Sequence, residues 1–203
     1  MISSKKELDF YIMSDIIMAG YPEKKSIKTF FKNLFFPNLT LKYLRFMRKT
    51  SYYKNHNRML FAYYKYRYER LGVKLGFSIG EDVFGYGLYI PHYGTIVVNN
   101  NVRAGNYCVL HTSSCIGGKT NKIGNALYVS SGAKVIGDVS LGDNVSISSN
   151  TFVNKTIEES NILLVGTPAI IKKNKCQPWY IRDGNDYLNR INRIEQLKQS
   201  LCL

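Results

Sequence analysis

The sequence predicts a mainly β chain, in which a coiled parallel β-helix follows a small α-helical domain and precedes a C-terminal helix. Three patterns predict it: a helical rhythm at the start, a strict six-residue repeat in the middle, and a second helical rhythm at the end. They divide the chain into residues 1–75, 76–173 and 174–203. Its 203 residues, 45% of them hydrophobic, are enough to bury a real core.

The first segment has the pattern of amphipathic helices. Ser4 and Glu7 have the spacing of a capping box, which predicts a helix start. Pro22 and Pro37 predict breaks between helices. A further face in the i, i+3, i+4 rhythm consists of Leu60, Tyr63, Tyr64, Arg67, Tyr68 and Leu71.

Positive charge is concentrated in this segment. The chain has 28 Lys+Arg against 14 Asp+Glu, and residues 1–75 hold 16 and 5 of these, a net charge of +11. Aromatic clusters at 30–36 and 63–68 lie among the lysines. This pattern favours an ordinary helical domain with an aromatic core and solvated lysines, and binding to an anionic membrane surface or another polyanion is left open as an additional role. No nucleic-acid-binding motif is visible, so we expect no nucleic acid partner.

Targeting signals and cysteine pairs are not recognisable in the sequence. No apolar run approaches the roughly 18–20 residues of a spanning helix, and the N-terminus does not read as a signal peptide. None of the four cysteines forms a Cys-x-x-Cys pair. We therefore expect a reduced, cytoplasmic protein, with association at the inner face of the membrane left open.

Beyond Gly76 the helical rhythm gives way to a period of six. An aliphatic residue recurs at every sixth position, with a second small or aliphatic residue four places later. The first set is Ile123, Val129, Val135, Leu141, Ile147 and Val153. A hexapeptide can form one side of a triangular coil, so three of them, about 18 residues, complete one turn with the aliphatic residues pointing inward. The strands of a β-sandwich would instead alternate strictly between apolar and polar residues, with turns about every 8–12 residues.

Two irregularities interrupt the repeat. The segment PHYGT at 91–95 breaks the period, and the seven-residue step from Ile116 to Ile123 predicts an extruded loop. Glycine often follows the inward aliphatic residue, and we interpret it as relief of backbone strain at the corners. These glycines are Gly105, Gly117, Gly124 and Gly142.

Three strings of the repeat carry a family resemblance. They are GYGLYIPHYGTIVVN (85–99), SSGAKVIGDVSLGDNVSI (130–147) and VGTPAIIKK (165–173). They resemble the active-site segment, central coils and closing loop of the hexapeptide-repeat acyltransferases, in the serine acetyltransferase-like subgroup that includes polysaccharide O-acetyltransferases. The resemblance implies a left-handed β-helix, acetyl-CoA as co-substrate without a metal, and a homotrimer or a dimer of trimers with active sites between neighbouring β-helices.

His92, in PHYGT, matches the general base of this family. An imidazole with a pKa near the operating pH can remove the proton of a hydroxyl as it attacks a thioester. Tyr93 and His111 are the candidate acceptor-binding residues. His111 follows an inward aliphatic residue and should point toward a groove, with simple stacking on the coil as the alternative. His56 is expected to be solvated, and the three histidines do not form a credible zinc site.

The family also implies positions for coenzyme A. The resemblance places Gly117 and Gly118 near the thioester, where small residues let backbone N–H groups approach a carbonyl oxygen. The pantetheine, adenine and phosphate positions correspond to Ser131, Ser149, Asn154, Lys155 and Lys173. Solvation is the alternative for each lysine.

Two family features are missing from this sequence. An aspartate that precedes the base by about one coil falls at Phe77 or Ser78, and an Arg-His pair falls around residues 119–121. These groups help to hold free serine. The sequence therefore favours acetylation of a cell-surface polysaccharide sugar or its precursor, with serine O-acetylation as the alternative and a non-catalytic trimeric scaffold as a further one. Glu81, Asp82 or a backbone carbonyl is left to orient His92.

The last segment predicts a linker and a helix over Asp186–Leu201. Its apolar stripe is expected to pack on the trimer, and recruitment of a partner is the alternative. The stripe consists of Leu188, Ile191, Ile194, Leu197 and Leu201.

Overall fold

The computed structural model describes residues 2–21, 37–118 and 121–203. The aromatic cluster at 30–36, the break at Pro22 and part of the predicted loop, Lys119 and Thr120, lie outside these ranges. The helices are α1 (Lys5–Met18), α2 (Leu39–Tyr53), α3 (Arg58–Leu75), α4 (Trp179–Arg182) and α5 (Asn185–Ser200). The strands are β1 (Phe77–Ile79), β2 (Ile96–Val98), β3 (Val102–Ala104), β4 (Val109–Leu110), β5 (Ser114–Gly117), β6 (Asn121–Ile123), β7 (Tyr128–Val129), β8 (Lys134–Ile136), β9 (Val145–Ile147), β10 (Phe152–Val153), β11 (Ile162–Val165) and β12 (Ile170–Lys173).

The strands form a left-handed β-helix of about five turns, which confirms the predicted fold class. The coil has three faces, and the strands that successive turns contribute to a face pair in parallel. Face A stacks β1, β2, β5, β8 and β10, and face C stacks β4, β7, β9 and β11, with β12 added antiparallel at the end. Face B consists of β3 and β6, and single bridges through Leu141 continue it to Ile157.

The inward positions of the repeat form the core. All six predicted inward residues, Ile123 to Val153, are at most 5% exposed. The second set is also buried from Leu127 to Thr151, and Ile157 in the last coil is half-buried. Side chains of equivalent positions stack from coil to coil, so each turn buries its apolar surface against its neighbours.

A ladder of polar side chains runs along the corner between faces B and C. Asn106 Oδ1 accepts from the backbone N–H of Tyr86 at 3.1 Å, and Asn125 Oδ1 accepts from that of Asn106 at 2.9 Å. Asp143 Oδ1 then accepts from the N–H of Asn125 at 2.6 Å, and Ser160 Oγ from that of Asp143 at 3.0 Å. Each coil therefore caps a backbone donor of the coil before it.

This ladder explains the repeated glycines and corrects our interpretation of them. A Cβ on Gly124 would lie 2.4 Å from Asp143 Oδ1, and Gly105 and Gly142 are similarly crowded. None of the three has a left-handed φ, so the close approach of the next coil, and not backbone strain, requires glycine there. Gly117 is different, because a Cβ would meet one side-chain carbon at an ordinary 3.5 Å.

A buried ion pair attaches the helical domain to the first coil. Arg48 on α2 donates from Nε to Asp15 Oδ2 on α1 at 2.9 Å, and both side chains are almost fully buried. Arg48 also donates to the carbonyl oxygens of Phe84 at 2.7 Å and Gly85 at 2.6 Å. Asp15 accepts from the backbone N–H of Leu88 at 2.9 Å. The pair is thus saturated with hydrogen bonds, as a buried pair must be.

Helix α1 begins where the sequence predicts. Ser4 caps α1 by accepting from the N–H of Glu7 at 3.0 Å. Helix α3 ends at Leu75, where Gly76 takes the left-handed conformation that commonly ends a helix. The buried side of α3 centres on Tyr68 and Leu75, and it leaves the predicted residues Leu60 and Tyr63 exposed.

The C-terminal helices cover face C of the same chain. Trp179 on α4 is buried and donates from Nε1 to the carbonyl oxygen of Tyr107 at 2.9 Å. Ile191 and Ile194 on α5 pack into a cluster with Phe10 of α1. Leu197 and Leu201 pack against the same cluster, so four of the five stripe residues pack within the chain, and packing of the helix on a trimer stays a prediction. In the described part of the chain no helix has the length and hydropathy to cross a membrane.

The ladder predicts opposite outcomes for two glycines. Gly124→Ala should lower the free energy of unfolding by about 1–3 kcal/mol, because its Cβ overlaps the next coil. Gly117→Ala should change it by no more than about 0.5 kcal/mol. Urea unfolding of both variants measures this, and equal midpoints would contradict the role assigned to the ladder.

Candidate active site

One edge of the β-helix brings the predicted catalytic histidine into line with other predicted residues. This edge, where face C turns into face A, is called the C–A edge here and comprises residues 91–95, 111–113, 130–132 and 148–150. Backbone hydrogen bonds fix successive corners on each other: Gly132 N donates to Thr112 O at 3.0 Å, and Asn150 N donates to Ser131 O at 3.1 Å.

His92 and His111 lie on adjacent coils of the C–A edge. Their ring centroids are 6.4 Å apart. His92 is exposed, and Tyr93 beside it is exposed as well. His111 is half-buried, and its Nε2 lies 2.9 Å from the hydroxyl of Tyr128. The structure thus places a solvent-accessible imidazole next to one that is held by a hydrogen bond.

The environment of His111 favours its neutral form. Burial lowers the pKa of His111, and the neighbouring His92 lowers it further. The carboxylate of Asp183 acts in the opposite direction but does not reverse the shift. A neutral His111 places no second positive charge beside His92.

Helix α4 supplies a charged group next to this pair. The guanidinium of Arg182 lies 4.7 Å from the centroid of the Tyr128 ring, and Nη1 donates to Ser146 Oγ at 3.2 Å. Asp183 accepts from Arg182 Nε at 2.6 Å. Tyr128, Arg182 and Asp183 were not predicted from the sequence. Tyr128 stands 17 residues after His111, about one coil, so coil arithmetic could have found it.

The positions predicted for coenzyme A fall into two groups. Ser131 and Ser149 are exposed on the C–A edge, on the two coils that follow His111. Gly117 and Asn154 lie on the opposite edge of face A, because β5, β8 and β10 pair in register there. Lys155 is exposed at the same edge.

The two groups are not brought together within one chain. Face A separates the C–A edge from the edge of Gly117, Gly118, Asn154 and Lys155. Lys173 ends β12 at the last coil and is exposed. Among residues 2–21, 37–118 and 121–203, no group of three or more His, Cys, Asp or Glu is placed to hold a metal ion.

Two curated proteins share sequence with this chain, although no family model matches it. It is 30% identical over 92 residues to a serine acetyltransferase of Synechococcus elongatus, covering 42% of this chain and 37% of that protein. It is 26% identical over 133 residues to one of Mycobacterium tuberculosis, covering 57% and 58%. The chain thus spans less than two thirds of either relative.

Solved structures with the same fold are also serine acetyltransferases. The enzyme of Neisseria gonorrhoeae in complex with serine matches with a TM-score of 0.66 at 20% identity, covering 84% of this chain and 71% of that one. The enzyme of Brucella abortus in complex with coenzyme A matches with a TM-score of 0.66 at 20% identity, covering 85% and 71%. At these identities the likeness concerns the fold.

The chain is thus similar to serine acetyltransferases in part of its sequence and in its β-helical fold. Where serine acetyltransferases carry an aspartate about one coil before the base, this chain has Phe77 or Ser78 and therefore no carboxylate. Phe77 is buried and packs on Tyr43, and Ser78 is exposed on face A. The position of the Arg-His pair includes Lys119 and Thr120, outside the described residues.

The two acids proposed to orient His92 are bound elsewhere. Glu81 accepts from Lys54 at 3.1 Å and from Lys65 at 3.0 Å. Asp82 accepts from Ser51 Oγ at 2.6 Å and from Lys54 at 3.3 Å. Glu81 therefore connects the first coil to α3 and Asp82 connects it to α2, so neither of these partnered acids orients His92.

The histidine pair predicts a specific titration. In His92→Asn the pKa of His111 should rise, because a neighbour that disfavours its charged form is removed. NMR of the three imidazoles against pH measures this directly, and His56→Asn, which removes a ring stacked on Tyr52, is the matched control. An unchanged pKa of His111 in His92→Asn would contradict the coupling.

Proposed function

We propose that this chain transfers an acetyl group from acetyl-CoA to a hydroxyl, with His92 as general base. The observation that carries the proposal is the exposed His92 beside the half-buried His111, on an edge that Ser131 and Ser149 continue. The coenzyme A found in the Brucella abortus structure supports acetyl-CoA as the donor.

The proposed reaction needs a base and then an acid at one place. His92 takes the proton of the acceptor hydroxyl while the new C–O bond forms at the thioester carbonyl. The C–S bond then breaks, and the same proton passes to the departing thiolate of coenzyme A. Burial lowers the pKa of His111, which favours its neutral form, and the hydroxyl of Tyr128 lies 2.9 Å from its Nε2 and holds the ring. Tyr93 and His111 are proposed to contact the acceptor.

Coenzyme A is proposed to lie between two copies of the chain. Ser131 and Ser149 would contact pantetheine from one copy, because both are exposed on the edge of His92. The second group, on the opposite edge of face A, would come from the neighbour in a homotrimer. Its members are Gly117, Gly118, Asn154 and Lys155, and Lys173, at the end of β12, would join them from the last coil. The lysines would meet the phosphates and the adenine end of the cofactor.

Two acceptors have support from different observations. L-Serine is favoured by the comparisons, since the relatives are named serine acetyltransferases and one solved structure contains serine. The comparisons support this alternative better than the polysaccharide sugar that the sequence analysis favours. One observation still supports a sugar as acceptor: Phe77 and Ser78 provide no carboxylate at the position where the family holds free serine. We propose to test L-serine first and sugars second.

Thiol release from acetyl-CoA tests the proposal. It should depend on an acceptor, and His92→Ala should lower the rate about 100- to 10,000-fold, because the base is lost. His56→Ala, at an exposed histidine on the α2–α3 turn, is the matched control and should retain the rate.

The acceptor panel contains L-serine, sugars and oligosaccharides, and no acceptor. Serine-dependent release assigns a serine O-acetyltransferase, and sugar-dependent release assigns a polysaccharide O-acetyltransferase. Full activity in His92→Ala would overturn the role of the base. If no acceptor gives thiol release and calorimetry shows no binding of coenzyme A, the proposed enzymatic activity is wrong. The non-catalytic trimeric scaffold is then the remaining alternative.

A further inference from the structure

The outward face of α3 carries several large apolar side chains, where a solvent-facing helix surface is normally polar. Its buried side already packs on α2 and the first coil through Tyr68 and Leu75. On the opposite side, Met59 is 84%, Tyr63 49%, Tyr66 57% and Val73 86% exposed. The spacing of these four residues, i, i+4, i+7 and i+14, places them on one line along the helix.

Cations accompany this apolar line: Arg70 lies on it, between Tyr66 and Val73, and Arg67 and Lys74 lie to one side. Arg67 Nη1 donates to Tyr63 Oη at 3.1 Å, and Arg70 Nη1 donates to Tyr66 Oη at 3.2 Å. Lys74 is exposed one turn further on. The only acid in residues 58–75, Glu69, is paired with Lys65 at 3.4 Å. The α3 surface, defined as Met59, Tyr63, Tyr66, Arg67, Arg70, Val73 and Lys74, is therefore both apolar and positive.

We propose that the α3 surface docks on an anionic lipid bilayer. Met59 and Val73 would enter the boundary between headgroups and acyl chains, and the two tyrosines would lie at the level of the headgroups. The arginines and Lys74 would meet lipid phosphates, which attract each nearby cation. The apolar side chains would thus meet the acyl chains and the cations among them and beside them would meet the headgroups of one such surface.

Charge favours the bilayer over a second copy of the chain. A symmetric pairing of two α3 surfaces would bring Arg67, Arg70 and Lys74 of both copies together, with Glu69 already paired to Lys65. A nucleic acid would satisfy the cations but leave Met59 and Val73 without an apolar partner. Docking is independent of the proposed acetyl transfer, because none of these residues belongs to the C–A edge or to the coenzyme A positions.

Vesicle co-sedimentation of the full chain tests the docking. The wild type should bind vesicles of phosphatidylcholine mixed with phosphatidylglycerol, and not those of phosphatidylcholine alone, at about 0.15 M salt. The double variant Met59→Ser, Val73→Ser should weaken binding about tenfold or more, because two buried apolar side chains are lost. Arg70→Glu should weaken it at least about fivefold.

Matched variants remove similar groups elsewhere. Ile170→Ser replaces an apolar residue that is 61% exposed on β12, and Lys122→Glu reverses an exposed charge on β6. Both should bind like the wild type, and circular dichroism should show all variants folded. Absence of wild-type binding to the anionic vesicles, or equal binding by the double variant, would overturn the proposal. Self-association that the double variant abolishes, without vesicle binding, would overturn it in favour of a second copy.

Discussion

The stacking of each coil on the next, held by parallel backbone hydrogen bonds, is the constraint on which the site depends. Strands in such a stack lie about 4.8 Å apart, so residues at equivalent corners of adjacent coils are neighbours whatever their separation in sequence. The ring centroids of His92 and His111 are 6.4 Å apart for this reason. Successive corners of the C–A edge turn through left-handed φ at the equivalent positions Ser113, Gly132 and Asn150.

The ion pair of Asp15 and Arg48 gives the helical domain its fixed relation to this stack. Removal of either partner would leave an uncompensated buried charge, and so the pair determines how α1 and α2 meet the first coil. Glu81 and Asp82 add a second attachment through Lys54 and Lys65. With both contacts in place, one side of α3 packs against the rest of the protein and the other side faces outward.

The sequence predicted the β-helix and its core because a six-residue period has few other physical explanations. It could not give the reason for Gly124, because the crowding comes from Asp143, one coil later. Arg182 could not be predicted either, because no pattern in the linker sequence indicates that this segment folds back and places Arg182 over the ring of Tyr128. Helix α3 was ambiguous for a related reason: it is apolar on two sides, and periodicity does not tell which one is buried.

A crystal structure of the protein with coenzyme A tests the central claim, that the C–A edge is the reaction site. The account predicts pantetheine along Ser131 and Ser149, with its sulfur within hydrogen-bonding reach of His92, directly or through one water. It also predicts that a neighbouring copy supplies the edge of Gly117 and Asn154. Coenzyme A ordered elsewhere, with His92 remote from the sulfur, would contradict the account.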